Sequence, residues 1–165
     1  MRRTRFFLLG LILVSLVEAA RQWSAAPARV PSHFDFAGRP NAWASRDELF
    51  LIQVGVTLLV AALFVGIPAL LKSAPASLIN LPNKSYWLAP ERREETMERL
   101  ASSFEVFACA TVLLLILVFE LTSLASRGGS LATSWFLPVL VAYVAFSAAW
   151  TVSLIRTFAS VPGGA

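Results

Sequence analysis

The sequence predicts an all-α integral membrane protein, organised as one membrane domain over residues 1–165. Composition is the first observation: 57% of the residues are hydrophobic and 15% are charged, whereas soluble domains carry about 25% charged residues. The second observation is that apolar runs near the bilayer-spanning length of about 20 residues recur along the chain. They predict four transmembrane helices, with an extracytoplasmic loop between the first two and a cytoplasmic helix leading into the third.

The first span is predicted at residues 6–22. Its apolar core is short, but Arg5 and Arg21 can extend it, because their long side chains reach the headgroup layers. The alternative is a cleaved signal peptide, since a basic start and an apolar core of this length are also typical of that segment. We expect the helix to be retained.

The other spans are predicted at residues 49–71, 104–125 and 135–156. Each is long enough to cross a bilayer, and Pro68 would kink or end the second of them. The outer loop between the first two spans then covers residues 23–48.

A cytoplasmic segment is predicted at residues 72–103. Pro90 suits the first position of a helix. Because neither Pro nor Gly follows before Phe104, one helix is expected to run from this segment into the third span. The aromatic residues Tyr86 and Trp87 are expected to dock on the membrane surface.

The distribution of Lys and Arg predicts the orientation. With the N-terminus inside, nine basic residues lie on the inner side and five on the outer side, so the positive-inside rule favours both termini in the cytoplasm. The basic residues stand in short clusters beside apolar runs, which argues against nucleic-acid binding despite the net charge of +4. The single cysteine, Cys109, excludes an intrachain disulfide and a cysteine-based metal site.

Three polar residues within the spans are expected in the outer part of the membrane, namely Glu18, Gln53 and Glu120. Two carboxylates this close would repel each other, so one must bind a proton or a cation must lie between them. One interpretation is a polar pocket or ion site closed by the outer loop. The alternative is that Glu18 pairs with Arg21 and that Glu120 bonds Ser123 or a neighbouring helix.

The outer loop contains the only histidine, His33, two positions before Asp35. These residues are candidate metal ligands, although a third ligand would have to come from Glu18 or Glu120. The structural alternative is that Asp35 bonds the backbone of a turn in which Gly38 supplies an unusual dihedral angle. Phe34 and Trp43 would then pack the loop onto the ends of the helices; Pro40 and Asn41 would continue the turn.

The loop also carries a framed motif, P-x-H-F-x-x-x-G-x-P-x-x-W. It resembles the bacterial membrane family called domain of unknown function 1648, which forms the N-terminal domain of SdpI-type immunity and signalling proteins. The family often has an acidic residue where Asn41 stands and a lysine where Arg46 stands. The resemblance implies a bacterial inner-membrane protein whose first helix is retained. The matching positions are Pro31, His33, Phe34, Gly38, Pro40 and Trp43.

The leading functional hypothesis is a non-enzymatic binding, immunity-like or signalling module. It would recognise an extracytoplasmic peptide or a membrane-protein partner of the envelope through the motif loop, without a cofactor. The first alternative is a small ion-coupled transport protein that uses the intramembrane polar residues. That alternative predicts an oligomer, because four spans are few for a monomeric transporter. The second alternative is a membrane metalloenzyme centred on His33 and Asp35.

Overall fold

Five α-helices, one short 3-10 helix (Ala76–Leu78) and one β-hairpin make up the computed structural model, which describes residues 2–161. The predicted domain extends beyond these by Met1 and residues 162–165, which lie outside the described residues. The elements in chain order are α1 Arg2–Ala25, β1 Arg29–Phe34, β2 Pro40–Ser45, α2 Arg46–Leu71, α3 Lys84–Trp87, α4 Pro90–Gly128 and α5 Thr133–Ala159.

Four of the helices, α1, α2, α4 and α5, are long and apolar enough to cross a membrane. The prediction of four helices long and apolar enough to span a membrane is therefore confirmed, and each predicted span lies inside one of them. The helices are longer than the apolar runs because polar flanking residues continue the same hydrogen-bonding pattern. Helix α4 begins at Pro90, where the missing N–H costs nothing.

Residues 29–45 form an antiparallel hairpin between α1 and α2. A two-stranded hairpin is marginally stable in water on its own, so this one depends on the helices beneath it. A capping box joins it to α2: Ser45 Oγ accepts from the Glu48 N–H at 3.1 Å, and Glu48 Oε2 accepts from the Ser45 N–H at 2.7 Å. We refer to this side of the molecule as the hairpin end.

Helix α2 contains one widened π-helical turn, Ala62–Gly66, shortly before Pro68. Proline has no N–H to donate, so the ordinary hydrogen-bond pattern cannot continue through it. The side chain of Phe64 extends from this turn and contacts Phe104 and Phe107 of α4, with ring centroids 6.0 and 5.2 Å apart. The proline-induced irregularity thus lies at a packed helix–helix contact.

The opposite end of the molecule has its own core around Trp87 and Phe158. The Trp87 Nε1–H donates to the Phe158 carbonyl at 2.8 Å, and Thr96 Oγ1 donates to the Trp87 carbonyl at 2.8 Å. The prediction that Trp87 docks on the membrane surface is wrong, because its residue exposure is only 7%. Tyr86 is half-buried and packs beneath the Arg92 guanidinium.

The middle of the bundle is built on α1, α2 and α4. Leu8 of α1 packs with Ala108 and Val112 of α4, and Ser15 Oγ lies 2.9 Å from Thr57 Oγ1 of α2. Helix α5 packs mainly against α4 through aromatic rings, with the Phe107 and Trp150 centroids 4.5 Å apart. Much of the α5 surface is therefore left exposed.

Candidate functional site at the hairpin end

The hairpin is fastened to the helices through its first strand. Val30 is 1% exposed and Pro31 is likewise buried, while β1 contacts both α2 and α4. The base of the hairpin is closed by a hydrogen bond from the Arg46 N–H to the Ala28 carbonyl, 3.2 Å long. The first strand thus anchors the hairpin and leaves its tip and second strand more exposed.

Asp35 organises the turn of the hairpin. Its Oδ1 accepts from the Ala37 N–H at 2.9 Å and from the Arg39 N–H at 2.8 Å. Its own N–H donates to the Arg39 carbonyl at 2.9 Å. Short acidic side chains satisfy turn backbones in this way, and this carboxylate oxygen is therefore occupied by the turn.

Gly38 joins the tip of the hairpin to the connection between α4 and α5. It has a φ of +75°, and a Cβ placed on it would lie 2.5 Å from the Leu131 carbonyl oxygen. The Leu131 N–H donates to the Gly38 carbonyl at 2.8 Å. Both the dihedral angle and the close backbone approach require glycine here, and the second requirement comes from a residue far away in the sequence.

His33 lies on the exposed part of the hairpin. Its Nδ1 is 2.6 Å from Asn41 Oδ1 on the facing strand, and because an amide oxygen can only accept, the ring nitrogen is the donor. Its side chain is thus engaged across the hairpin rather than with Glu18 or Glu120. Within residues 2–161 no three His, Cys, Asp or Glu side chains are grouped as a metal site would require.

Arg21 lies between the two intramembrane carboxylates. Its Nε donates to Glu18 Oε2 and its Nη2 donates to Glu120 Oε2, both at 2.6 Å. The Nε2 of Gln22 donates to the same oxygen of Glu120 at 2.9 Å. The structure therefore brings the two predicted acids together, and the chain itself supplies the cation that separates them.

Gln53 takes no part in the hydrogen bonds that join Arg21, Glu18 and Glu120. Its residue exposure is 2%, and its Nε2 has no hydrogen-bond partner among the described residues. It lines a cavity of about 20 Å³ together with Gln22, Thr122 and Ser126. About 10 to 15 Å³ is needed to hold one water molecule, so the cavity is large enough for a water rather than for a solute.

Substituting Arg21 should show how much the ion cluster contributes. We expect Arg21→Met to lower the thermal midpoint slightly, because exposed ion pairs contribute little to stability. The loss should shrink in high salt, because screening already weakens these pairs in the parent protein. Thermal unfolding of the purified protein at low and high salt measures both effects. Without Arg21 the carboxylates of Glu18 and Glu120 repel each other, so adding Glu120→Gln should recover part of the lost stability. If no stability is recovered, the two carboxylates do not repel each other.

The exposed surface of the hairpin is aromatic. The Phe36 side chain at the tip is fully exposed, and Trp43 on the second strand is 52% exposed. The expectation that Trp43 packs the loop onto the helices is wrong, because Trp43 is exposed and the strand with the buried Val30 and Pro31 contacts the helices instead. Phe34 is half-buried.

The sequence did not predict an ion pair at the opposite end, which joins a half-exposed arginine to a buried glutamate. Arg5 of α1 donates to Glu105 Oε1 of α4 through Nε at 2.9 Å and through Nη2 at 2.6 Å. The Glu105 residue is 1% exposed, and its Oε2 has no partner among the described residues. Only the presence of a charge inside an apolar segment could have drawn attention to Glu105.

The four apolar helices define a multi-pass membrane protein. Residues 10–57 match the family model described as domain of unknown function, DUF1648. The match runs from α1 across the whole hairpin into α2, so the resemblance predicted from the motif is confirmed. No curated protein and no solved structure matches the chain.

Proposed function

We propose that the protein resides in a bacterial inner membrane, with both termini in the cytoplasm and the hairpin outside. The excess of nine basic residues over five supports this orientation. The proposal of a bacterial origin rests on the resemblance of the loop motif to a family of bacterial membrane proteins. In this orientation the exposed aromatic residues of the hairpin face the envelope.

The proposed function is a non-enzymatic binding module, immunity-like or signalling, that recognises a peptide or a membrane-protein partner in the envelope. The observation that carries it is the pair of exposed aromatic residues, Phe36 and Trp43, on a hairpin whose turn and tip are held by hydrogen bonds. Aromatic residues with little rotational freedom are the usual anchors of protein interfaces. Arg29 and Arg39 are exposed on the same hairpin, which favours a partner with apolar and acidic groups.

The ion-coupled transport hypothesis has weaker support. Its two acidic residues already accept hydrogen bonds from within the chain: Glu18 from Arg21, and Glu120 from both Arg21 and Gln22. The neighbouring cavity has room for about one water. The metalloenzyme hypothesis is also weak, because His33 pairs with Asn41 while Asp35 holds the turn. The two candidate ligands thus serve different parts of the hairpin.

Site-specific photo-crosslinking in living cells tests the binding function. A photoreactive phenylalanine analogue at position 36 should crosslink to an envelope peptide or protein, and Trp43→Ala should reduce the yield at least tenfold, since anchor aromatics contribute about 2 kcal/mol or more. The matched control carries the same analogue at position 6, where Phe6 is 70% exposed at the opposite end. Identical crosslinked products at positions 36 and 6 would contradict the proposal. So would a crosslinking yield at position 36 that Trp43→Ala leaves unchanged at equal protein abundance.

A further inference from the structure

A cleft between α4 and α5 lies at the end of the molecule opposite the hairpin. It has a volume of about 360 Å³, and its lining includes one guanidinium and several hydroxyl groups. A second groove, of about 230 Å³, lies between the same two helices and is lined by apolar side chains. The polar members of the cleft are Arg99, Ser102, Ser103, Ser153 and Thr157.

The apolar groove continues the cleft along both helices. On α4 it begins at Ala110, one turn after Val106 of the cleft, and on α5 it begins at Phe146, one turn before Trp150 of the cleft. Residues three and four apart share a helix face, so cleft and groove follow the same side of the helix pair. The lining is therefore polar at one end and apolar along the rest, as an amphiphile would require.

The cleft holds hydrogen-bond donors that the chain does not use. The hydroxyls of Ser102, Ser103 and Ser153 make no side-chain hydrogen bond with any residue from 2 to 161, whereas that of Ser147 donates to the carbonyl four residues earlier. Arg99 binds Glu95 through Nε and Nη2, which leaves Nη1 available. Hydroxyl and guanidinium donors together suit the oxygens of a phosphate.

The length of the groove matches one leaflet of a bilayer. From Val106 to Leu117 the helix rises about 17 Å at 1.5 Å per residue, and half of a hydrocarbon core of about 30 Å is about 15 Å. The cleft lies where the apolar run 104–125 begins, which is the depth expected for headgroups. An acyl chain in the groove would thus place a phosphate beside the free donors.

We propose that the α4–α5 groove binds one phospholipid, with its phosphodiester in the cleft and an acyl chain in the apolar groove. This site is independent of the hairpin and of the function proposed for it. The lipid would cover part of α5, which is otherwise the least buried of the membrane-spanning helices.

Native mass spectrometry of the full-length protein in detergent tests the proposal. Titration with phosphatidylglycerol should give one retained lipid, and diacylglycerol with the same chains should bind at least tenfold more weakly. The double variant Ser102→Ala/Ser153→Ala should weaken phosphatidylglycerol binding at least tenfold, because it removes two hydroxyl donors to a charged phosphodiester. Ala142→Phe, which fills the groove, should also abolish retention.

Two matched variants serve as controls. Thr151→Ala removes a hydroxyl of α5 outside the cleft, and Ala148→Phe adds a ring outside the groove; both should bind lipid as the parent does. The proposal would be overturned if diacylglycerol were retained as well as phosphatidylglycerol, or if inorganic phosphate alone displaced the lipid. It would also be overturned if Ser102→Ala/Ser153→Ala bound lipid as the parent does, with an unchanged thermal midpoint. A dimer whose interface buries the groove would overturn it as well.

Discussion

Replacing Arg5 with leucine is expected to destabilise the protein more than any other substitution of a charged residue discussed above. Removing one partner of a buried ion pair costs about 3 to 5 kcal/mol, because the remaining charge is left uncompensated. The Glu105 side chain is 2% exposed, but that of Arg5 is half-exposed. We therefore expect the loss of unfolding free energy to be at the lower end of this range, about 3 kcal/mol. For a chain of this length, that corresponds to a fall of about 6 to 12 °C in the thermal midpoint.

Two further variants separate the ion pair from other effects of losing a positive charge. Arg3→Leu removes an exposed arginine outside the pair and should leave the midpoint nearly unchanged. Arg5→Leu/Glu105→Leu should recover most of the stability, since apolar replacement of a complete buried pair is often neutral or favourable. If the double variant is as unstable as Arg5→Leu, the loss does not arise from an unpaired carboxylate.

Gly38→Ala is the second substitution for which we expect a large effect. A positive φ costs a residue with a Cβ about 1 to 2 kcal/mol, and overpacking adds about 1 to 3 kcal/mol. The new methyl group would lie 2.5 Å from the Leu131 carbonyl oxygen, and backbone cannot easily move aside. We expect the hairpin tip to detach from the α4–α5 connection, which hydrogen exchange would detect as lost protection of the Leu131 amide.

Two other glycines divide this effect into its causes. Gly129 has a φ of +83° but open space around its Cα, so Gly129→Ala should show the dihedral cost alone. Gly55 has open space and lies within α2, so Gly55→Ala should be neutral or slightly stabilising. An effect of Gly38→Ala no larger than that of Gly129→Ala would show that the contact with Leu131 is unimportant.

Local patterns were enough to predict most of the architecture. The length of each apolar run predicts a span, because about 20 helical residues match the roughly 30 Å hydrocarbon core of a typical bilayer. Pro90 predicts the start of α4, because its ring suits the first helical position. The motif from Pro31 to Trp43 predicted the family to which residues 10–57 match. All of these signals lie within short stretches of chain.

The hairpin itself was predicted less well. Asp35 and Gly38 indicated a turn, but the sequence suggested a loop packed through Trp43, which the structure leaves half exposed. The strands contain two prolines and two register shifts, which obscure the alternation typical of β-structure. Which face packs against the helices depends on where α2 and α4 lie, and that information is not local.

Local composition and the motif were sufficient to predict the class of protein, the number of candidate membrane-spanning helices and the position of the hairpin. The partners of individual side chains depend on how the helices pack: Arg21 lies between Glu18 and Glu120, Gly38 bonds Leu131, and Arg5 pairs with Glu105. The physical reason is that burial in a bilayer depends on local composition, whereas an ion pair or hydrogen bond requires two groups within about 3 Å. Residues 100 positions apart meet at that distance only after the helices have packed.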